Sequence, residues 1–464
     1  MPVPLPPDEK PREDSPRRAH EKAVARLRES YRAIPASEPV RLAKPTSNLF
    51  RPRDPRRGAG LDVSGFDRVL SVDPAARVAE VQGMVTYEDL VDATLPHGVV
   101  PPVVLDFRTI TVGGSVAGLG AESSSFRAGL PHDPVLELEV LTGDGRVVTA
   151  SRDNEHAALF HGFPHSFGSL GYALRVRLRL DPARPYVRLR HLRLGSAAEW
   201  TEVMSRVAAE GAFESTPVDY LDGVAFSPSE LYLTLGTLAD VAPRVSDYTR
   251  SRAYYRSIRE RPEDFLTLRD YLWRWDTDMF WAARYFGLER PLIRRAWPRR
   301  LRRSDVYRRL LFFDRRLGLT DRANRLRGRR FEWVIQDADV PAEAVPDFLE
   351  FFDREIGIRP VWLCPMLTRT PMTIYPMDPG RLYVSAGFWW KVELRPGQEP
   401  GHHDRLIERR ITELGGLKPL YSTAYYSEEE FWRLYNGEGF RELKAAYDPG
   451  GRLPSTFDKT VRGR

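Results

Sequence analysis

The run Thr111-Val-Gly-Gly-Ser-Val-Ala-Gly-Leu-Gly-Ala-Glu-Ser-Ser-Ser125 places four glycines, at 113, 114, 118 and 120, within one short turn. Backbone this bare serves two purposes: a turn with positive φ, or a phosphate lying directly on backbone N–H groups. The hydroxyls of Ser115, Ser123, Ser124 and Ser125 are compact enough to hydrogen-bond a diphosphate or ribitol without filling its space. The spacing Gly-Gly-x3-Gly-x-Gly is neither a Rossmann fingerprint nor a P-loop. A flexible linker has a similar composition, so the flanking pattern has to decide.

That pattern is ordered. Val69–Pro74 and the stretch from Arg77 read as strand, turn and strand, with a corner at Gly83. A helix then opens at Thr86 as N-cap, with Asp89 as its capping-box acid. Val135–Val148 alternates on both sides of Gly143-Asp-Gly145, the signature of a β-hairpin. Phe167-Gly-Ser-Leu-Gly171 leads into the alternating strand Ala173–Leu180, and Ala19–Arg32 has the apolar spacing of a helix.

This order resembles the FAD-binding domain of the vanillyl-alcohol-oxidase (PCMH-type) flavoproteins, and within them the delta(24)-sterol reductase branch. Three groups of residues carry the likeness. They are Thr111-Val-Gly-Gly114 through Glu122-Ser-Ser-Ser125 with Gly129-Leu130; Val361-Trp-Leu-Cys-Pro365 with Arg381-Leu-Tyr-Val384; and Leu420-Tyr421 through Tyr425, Glu429-Glu-Phe-Trp432 and Tyr447-Asp-Pro449. The resemblance implies an α+β protein: a PCMH-type FAD-binding domain of two small mixed subdomains at 41–182, then an α+β cap at 183–464. Residues 1–40 are expected to form a mobile tail and a helix, and 250–330 an insertion in the cap.

The family's first phosphate loop falls on Arg41–Arg51, where Thr46, Ser47 and Asn48 are the implied diphosphate ligands. Further along, the implied cofactor contacts are Thr111, Val112, Gly113, Gly114, Ser115, Gly118, Gly120, Glu122, Ser123 and Ser124, then Gly168 and Gly171. Covalent members carry a histidine in the first loop. None is present here, and no cysteine falls in the flavin domain, so FAD is expected to be non-covalent. The implied activity is NADPH-dependent reduction of a carbon–carbon double bond in a sterol or isoprenoid-type lipid. The competing readings are an oxidase or dehydrogenase of an alcohol or polyprenyl-phosphate sugar, using oxygen or a quinone, and a flavin module without catalysis. Reducing an alkene needs a proton donor besides the hydride. Tyr425, Tyr426 and Glu122 are the candidates; each also has a structural reading, the tyrosines as core residues and Glu122 as the counter-charge to Arg127.

Length and composition fit these expectations. A chain of 464 residues exceeds what one core usually serves, which suggests two domains. The single cysteine, Cys364, excludes a disulfide framework, and no spaced set of histidines suggests a metal. The N-terminus lacks the apolar segment of a signal peptide, and no apolar window is long enough to span a bilayer, so a cytoplasmic location is expected. Charge is uneven: 250–330 holds 24 arginines against 10 acids in a chain of net charge +6. Tyrosines and tryptophans interleave with those arginines. One reading is a solvated helical face over an aromatic core. The other is contact with an anionic membrane at the inner face of the cell, with Trp and Tyr at the headgroup level. Without a recognition motif, nucleic acid is not expected.

Overall fold

The computed structural model describes residues 16–44, 50–51, 60–250, 252–317, 322, 324, 326 and 328–463. Thr46, Ser47 and Asn48 lie outside the described residues, as does the tail before Pro16.

The expected strand–turn–strand becomes β1 (Val69–Asp73) and β2 (Val78–Gln82), and the hairpin becomes β3 (Val135–Thr142) and β4 (Val147–Ser151). With β5 (Gly171–Arg179) they form an antiparallel sheet in the order β1-β2-β5-β3-β4. Helix α1 (Pro16–Ala33) packs on this sheet: Leu27 and Tyr31 are buried against Leu141 and Leu174, and the Tyr31 hydroxyl donates to the Gly143 carbonyl. Helix α2 (Tyr87–Thr94) starts where the capping signal placed it, Thr86 Oγ1 accepting the Asp89 N–H at 3.1 Å. The glycine stretch is not an open turn. It forms α3 (Val112–Gly118), a loop, and α4 (Ser125–Ala128).

The second unit is a seven-stranded antiparallel sheet. Its strands are β6 (Tyr186–Leu194), β7 (Tyr220–Ser227), β8 (Glu230–Ala239), β9 (Glu263–Thr267), β10 (Arg330–Pro341), β11 (Val361–Leu367) and β12 (Leu382–Leu394). They lie in the order β9-β6-β8-β7-β11-β12-β10. One face is covered by α5 (Ala197–Glu210), α6 (Val345–Glu355) and α7 (His402–Glu413), which bury Trp200, Phe348, Phe352 and Ile407. The alternating strands bury one side-chain set here and the other set on the opposite face.

That opposite face looks toward the flavin-type domain, and the basic-aromatic segment fills the gap. Tyr254, Tyr271, Trp273, Trp275, Phe280 and Trp281 pack in one core with Tyr87, Val103 and Leu105. Membrane placement of these rings at headgroup level is therefore corrected: the apolar area that would enter a lipid interface is already buried between two protein layers. Many of the arginines are internal staples. Arg274 pairs with Asp222 at 2.7 Å and Arg294 with Asp278 at 2.5 Å, all four side chains buried. Arg302 donates to the carbonyls of Thr249, Arg250, Arg294 and Trp297. Arg269–Asp92 and Arg303–Glu88, both at 2.8 Å, tie the segment to α2 and its first turn.

The C-terminal part returns. Helices α8 (Glu428–Leu434), α9 (Gly437–Tyr447) and α10 (Thr456–Thr460) bury Phe431, Tyr435, Phe440, Leu443 and Phe457 in the core of the first sheet. A cap running to residue 464 would cut through that core, so residues 420–463 are grouped here with the first domain.

Candidate functional site

Between the two units lies a cavity of about 1040 Å³. The glycine stretch forms one wall, for a different reason than the spacing suggests. None of Gly113, Gly114, Gly118 and Gly120 has positive φ; in this stretch that conformation falls on Leu119 (φ 62°). The first N–H groups of α3 are engaged internally: Val112 N donates to Val85 O at 2.9 Å, Gly113 N to Gly83 O at 3.0 Å, and Gly114 N to Thr111 Oγ1 at 3.3 Å. What the glycines supply is room. A Cβ on Gly113 would sit 2.8 Å from Gly83 O, and one on Gly120 would sit 2.6 Å from Leu105 Cδ1. The helix can thus lie flush on the Gly83 corner and present bare backbone to the cavity.

Of the expected cofactor contacts, Thr111, Gly113, Gly114, Ser115, Gly118, Gly120, Glu122, Gly168 and Gly171 line the cavity. Three do not. Val112 is a core residue of the first sheet. Ser123 hydrogen-bonds Tyr271 at 2.9 Å and Arg274 at 3.2 Å, and Ser124 starts α4, its carbonyl accepting from Arg127 and Ala128. Ser123 thus fastens the two domains and Ser124 opens its own helix, instead of facing a ligand. The Ser115 hydroxyl is also engaged, by Val112 O at 2.8 Å and Tyr87 at 3.0 Å.

The side chains suited to a diphosphate are cationic: Arg41, Lys44, Arg51 and Lys459 all line the cavity. Lys459 Nζ also donates to Gly168 O at 2.6 Å, so the 167–171 turn and the C-terminal helix are held together beside the cavity. Arg41, Lys44 and Arg51 belong to the first expected phosphate loop, Arg41–Arg51.

The rest of the lining is aromatic and acidic. Phe280 lies 4.3 Å from Trp389 and 5.3 Å from Trp362, ring centre to ring centre, and Trp389 Nε1 donates to the Tyr421 hydroxyl at 3.1 Å. Four carboxyls line the same space: Asp106, Glu122 and Asp337, and Asp458 beside Lys459. Glu122 Oε1 accepts the Asp106 N–H at 2.7 Å. Burial holds both acids above the usual carboxylate range, helped by repulsion from Asp222 at Asp106 and by repulsion from Asp106 at Glu122. Burial, with Asp339 and Asp106 nearby, does the same to Asp337. Asp106 Oδ1 and Asp337 Oδ1 have no hydrogen-bond partner among the described residues. Gly387, opposite Asp337 in the β10–β12 ladder, makes the space for it, since a Cβ there would lie 2.8 Å from Asp337 Oδ1.

Glu122 is therefore a cavity residue and not the counter-charge of Arg127, which pairs with Asp181 at 3.0 Å. The tyrosine assignment needs correction. Tyr425 packs on α7, its ring 4.4 Å from Arg405, and Tyr426 is buried against Tyr435; neither lines the cavity. The tyrosines that do are Tyr172, beside the 167–171 turn, and Tyr421, beside the aromatic and acidic wall. Reading the sequence missed Asp106, Asp337, Tyr421 and Trp389 as a group. Two signals were present: Leu420-Tyr421 belongs to the resemblance, and Asp337-Ala-Asp339 puts two acids on one face of the strand Arg330–Pro341.

FAD fits these residues. The bare glycine wall leaves room for a flat or extended group, four cations suit its diphosphate, and the unpartnered carboxyl oxygens suit ring or ribityl hydrogen-bond groups. Comparison with known proteins agrees. Residues 24–151 match the family described as FAD binding domain. Over 440 residues the chain is 27% identical to a Delta(24)-sterol reductase of Arabidopsis thaliana, covering 87% of this chain and 77% of that protein. Over 421 residues it is 25% identical to the Homo sapiens Delta(24)-sterol reductase, covering 85% and 76%. A shorter likeness, 35% over 153 residues, is to cytokinin dehydrogenase 7 of rice, Oryza sativa subsp. japonica, covering 32% of this chain and 28% of that protein.

Proposed function

Since this chain is an FAD-dependent oxidoreductase built on a PCMH-type FAD-binding domain, we propose that it uses NADPH to reduce a carbon–carbon double bond in a sterol or isoprenoid-type lipid. The observation that carries the reading is the composition of the cap-side wall. Phe280, Trp362 and Trp389 offer an apolar surface to a hydrocarbon, and burial pushes the Asp337 carboxyl beside them well above the usual carboxylate range, toward the neutral acid. Uncharged acids serve a reaction that consumes a proton. Oxidising an alcohol needs the opposite, a base that takes the hydroxyl proton.

When bound, FAD supplies the two-electron hydride carrier. The chain's own residues do the rest. Arg41, Lys44, Arg51 and Lys459 would hold the diphosphate, and the α3 glycines would leave room for the cofactor against backbone. Asp106 and Glu122 would offer it hydrogen-bond partners, while the aromatic wall would exclude water and orient the lipid. The names of the sterol reductases it resembles support the substrate class.

Anaerobic stopped-flow mixing tests this. NADPH should bleach the flavin, and a Δ24 sterol or a related isoprenoid alkene should restore it. Bleaching by an alcohol and not by NADPH would replace the reading with a carbinol dehydrogenase. Acid precipitation should release all the FAD to the supernatant, as expected of a non-covalent cofactor.

Membrane pickup of the lipid would use other side chains than the buried aromatics. Leu292, Phe312, Phe313 and Leu317 are exposed, and Arg290, Arg295, Arg299 and Arg300 are exposed beside them in sequence. We propose that they adsorb to an anionic surface. Salt-sensitive co-sedimentation with anionic vesicles, weakened by Phe313→Ser, is the expected result; binding unaffected by either removes this part of the reading.

A further inference from the structure

Tyr421 has its oxygen in an unusual position. Trp389 Nε1–H donates to it at 3.1 Å, and an indole nitrogen can only donate, so one lone pair of the phenol is occupied. Asp337 is hydrogen-bonded to the same hydroxyl. Its carboxyl is desolvated and sits near Asp339 and Asp106, which pushes it well above the usual carboxylate range, toward the neutral acid. A charged Asp337 would accept the Tyr421 proton across this contact; in the neutral acid form its own O–H can donate instead to the second lone pair of the phenol. With both lone pairs accepting, the phenol's own proton has to point elsewhere. Tyr421 and Asp337 both line the cavity, along with Trp389, Trp362 and Phe280.

We propose that Tyr421 is the catalytic proton donor to the substrate alkene, and that Asp337 and Trp389 are positioning residues that aim its proton and hold the phenolate left behind. The proposal rests on the alkene-reductase reading. The π bond of the alkene breaks. One carbon receives a hydride, two electrons and one proton, originating in NADPH. The other carbon takes the Tyr421 proton with the π electron pair. Tyr421 becomes a phenolate that accepts from Trp389 N–H and Asp337 O–H, an arrangement of the oxyanion-hole kind. A proton from solvent, passed through Asp337, restores the phenol. The sum is alkene plus NADPH plus one proton giving alkane plus NADP⁺.

The test uses the full-length FAD-loaded enzyme with Tyr421→Phe and Asp337→Asn. Each is reduced by NADPH or by dithionite, then mixed anaerobically with a Δ24 sterol alkene. Tyr421→Phe should keep the native flavin spectrum and the native rate of reduction by NADPH. Its re-oxidation by the alkene should slow by roughly 10²–10⁴-fold. Asp337→Asn, which keeps a donor but has no acid proton, should show an intermediate loss and a changed solvent isotope effect. Infrared spectra of the native protein at neutral pH should contain a protonated-carboxyl band that disappears in Asp337→Asn, a readout independent of turnover.

Re-oxidation of Tyr421→Phe at the native rate overturns the proposal while leaving the functional reading intact. Equal slowing of both half-reactions, or loss of bound flavin, shows Tyr421 to be structural and overturns it as well. Absence of the carboxyl band overturns the role of Asp337. A native reduced enzyme that no sterol or isoprenoid alkene re-oxidises sinks the functional reading first, and the proposal with it.

Discussion

The two walls of the cavity solve opposite problems. The flavin-domain wall, from Gly83 to Gly120, is nearly bare backbone whose hydrogen bonds are already closed on itself: Gly113 N to Gly83 O, Val112 N to Val85 O. It acts by shape. The cap-side wall is built of large side chains on β10, β11 and β12, and it leaves a carboxyl oxygen of Asp337 without a hydrogen-bond partner among the described residues. It acts by chemistry, and it carries the cost of buried polar groups. A cofactor seat can be rigid and fully satisfied in the apoprotein, whereas a reactive surface has to keep groups available.

If that contrast holds, damage to the cap should be electrostatic and damage to the flavin wall steric. The largest effect is expected at the buried pair behind the cap wall. Asp222→Ala leaves the Arg274 guanidinium uncompensated at a site where both side chains are buried. Unfolding free energy should fall by about 3–5 kcal/mol, measured by denaturant titration. A loss below 1 kcal/mol would mean that Arg274 finds another partner. Next comes Gly83→Ala. The added Cβ would meet the Ala173 carbonyl oxygen at 2.0 Å, so β2, β5 and α3 must separate. We expect about 1–3 kcal/mol of destabilisation and loss of bound FAD, read from the melting curve and the visible spectrum.

The third prediction concerns pH. Burial raises Asp339 to about 7, behind Asp337 on the same strand, where the Tyr375 hydroxyl donates to it at 2.7 Å. The native state therefore binds a proton that the unfolded chain, with an ordinary carboxyl near pH 4, has released. This contribution to stability is complete below about pH 4 and is lost as pH rises toward 7, with a slope of at most about 1.4 kcal/mol per pH unit. Asp339→Asn should flatten the stability profile in that window and leave it unchanged above. An unaltered slope would move the proton uptake to another acid.

The smallest effects separate arginines that look alike in sequence. Arg302→Gln removes the donor to four carbonyls and should cost about 1–3 kcal/mol. Arg299→Gln and Arg300→Gln lie on an exposed turn and should stay within about 0.5 kcal/mol of native. If all three behave alike, Arg302 is not the staple its contacts describe.

These arginines mark where local pattern stops being informative. Strands, the β-hairpin, the Thr86 cap and the glycine wall were legible because each is set by neighbours a few residues away: alternation, turn chemistry, a hydroxyl reaching an N–H three residues on. The likeness to PCMH-type flavoproteins rests on such segments, and with it FAD and the oxidoreductase class. Tertiary structure alone decided what faces what. Tyr421, Tyr425 and Tyr426 differ by only a few positions, yet one lines the cavity, one packs on α7 and one enters the core. The tryptophans of 250–330 pack inward because the cap sheet offers a second apolar face that no local rule reveals. Asp106, Glu122 and Asp337 acquire their character from burial and from one another across more than 200 residues, and Coulomb and solvation energies depend on distance in space, which sequence spacing does not encode.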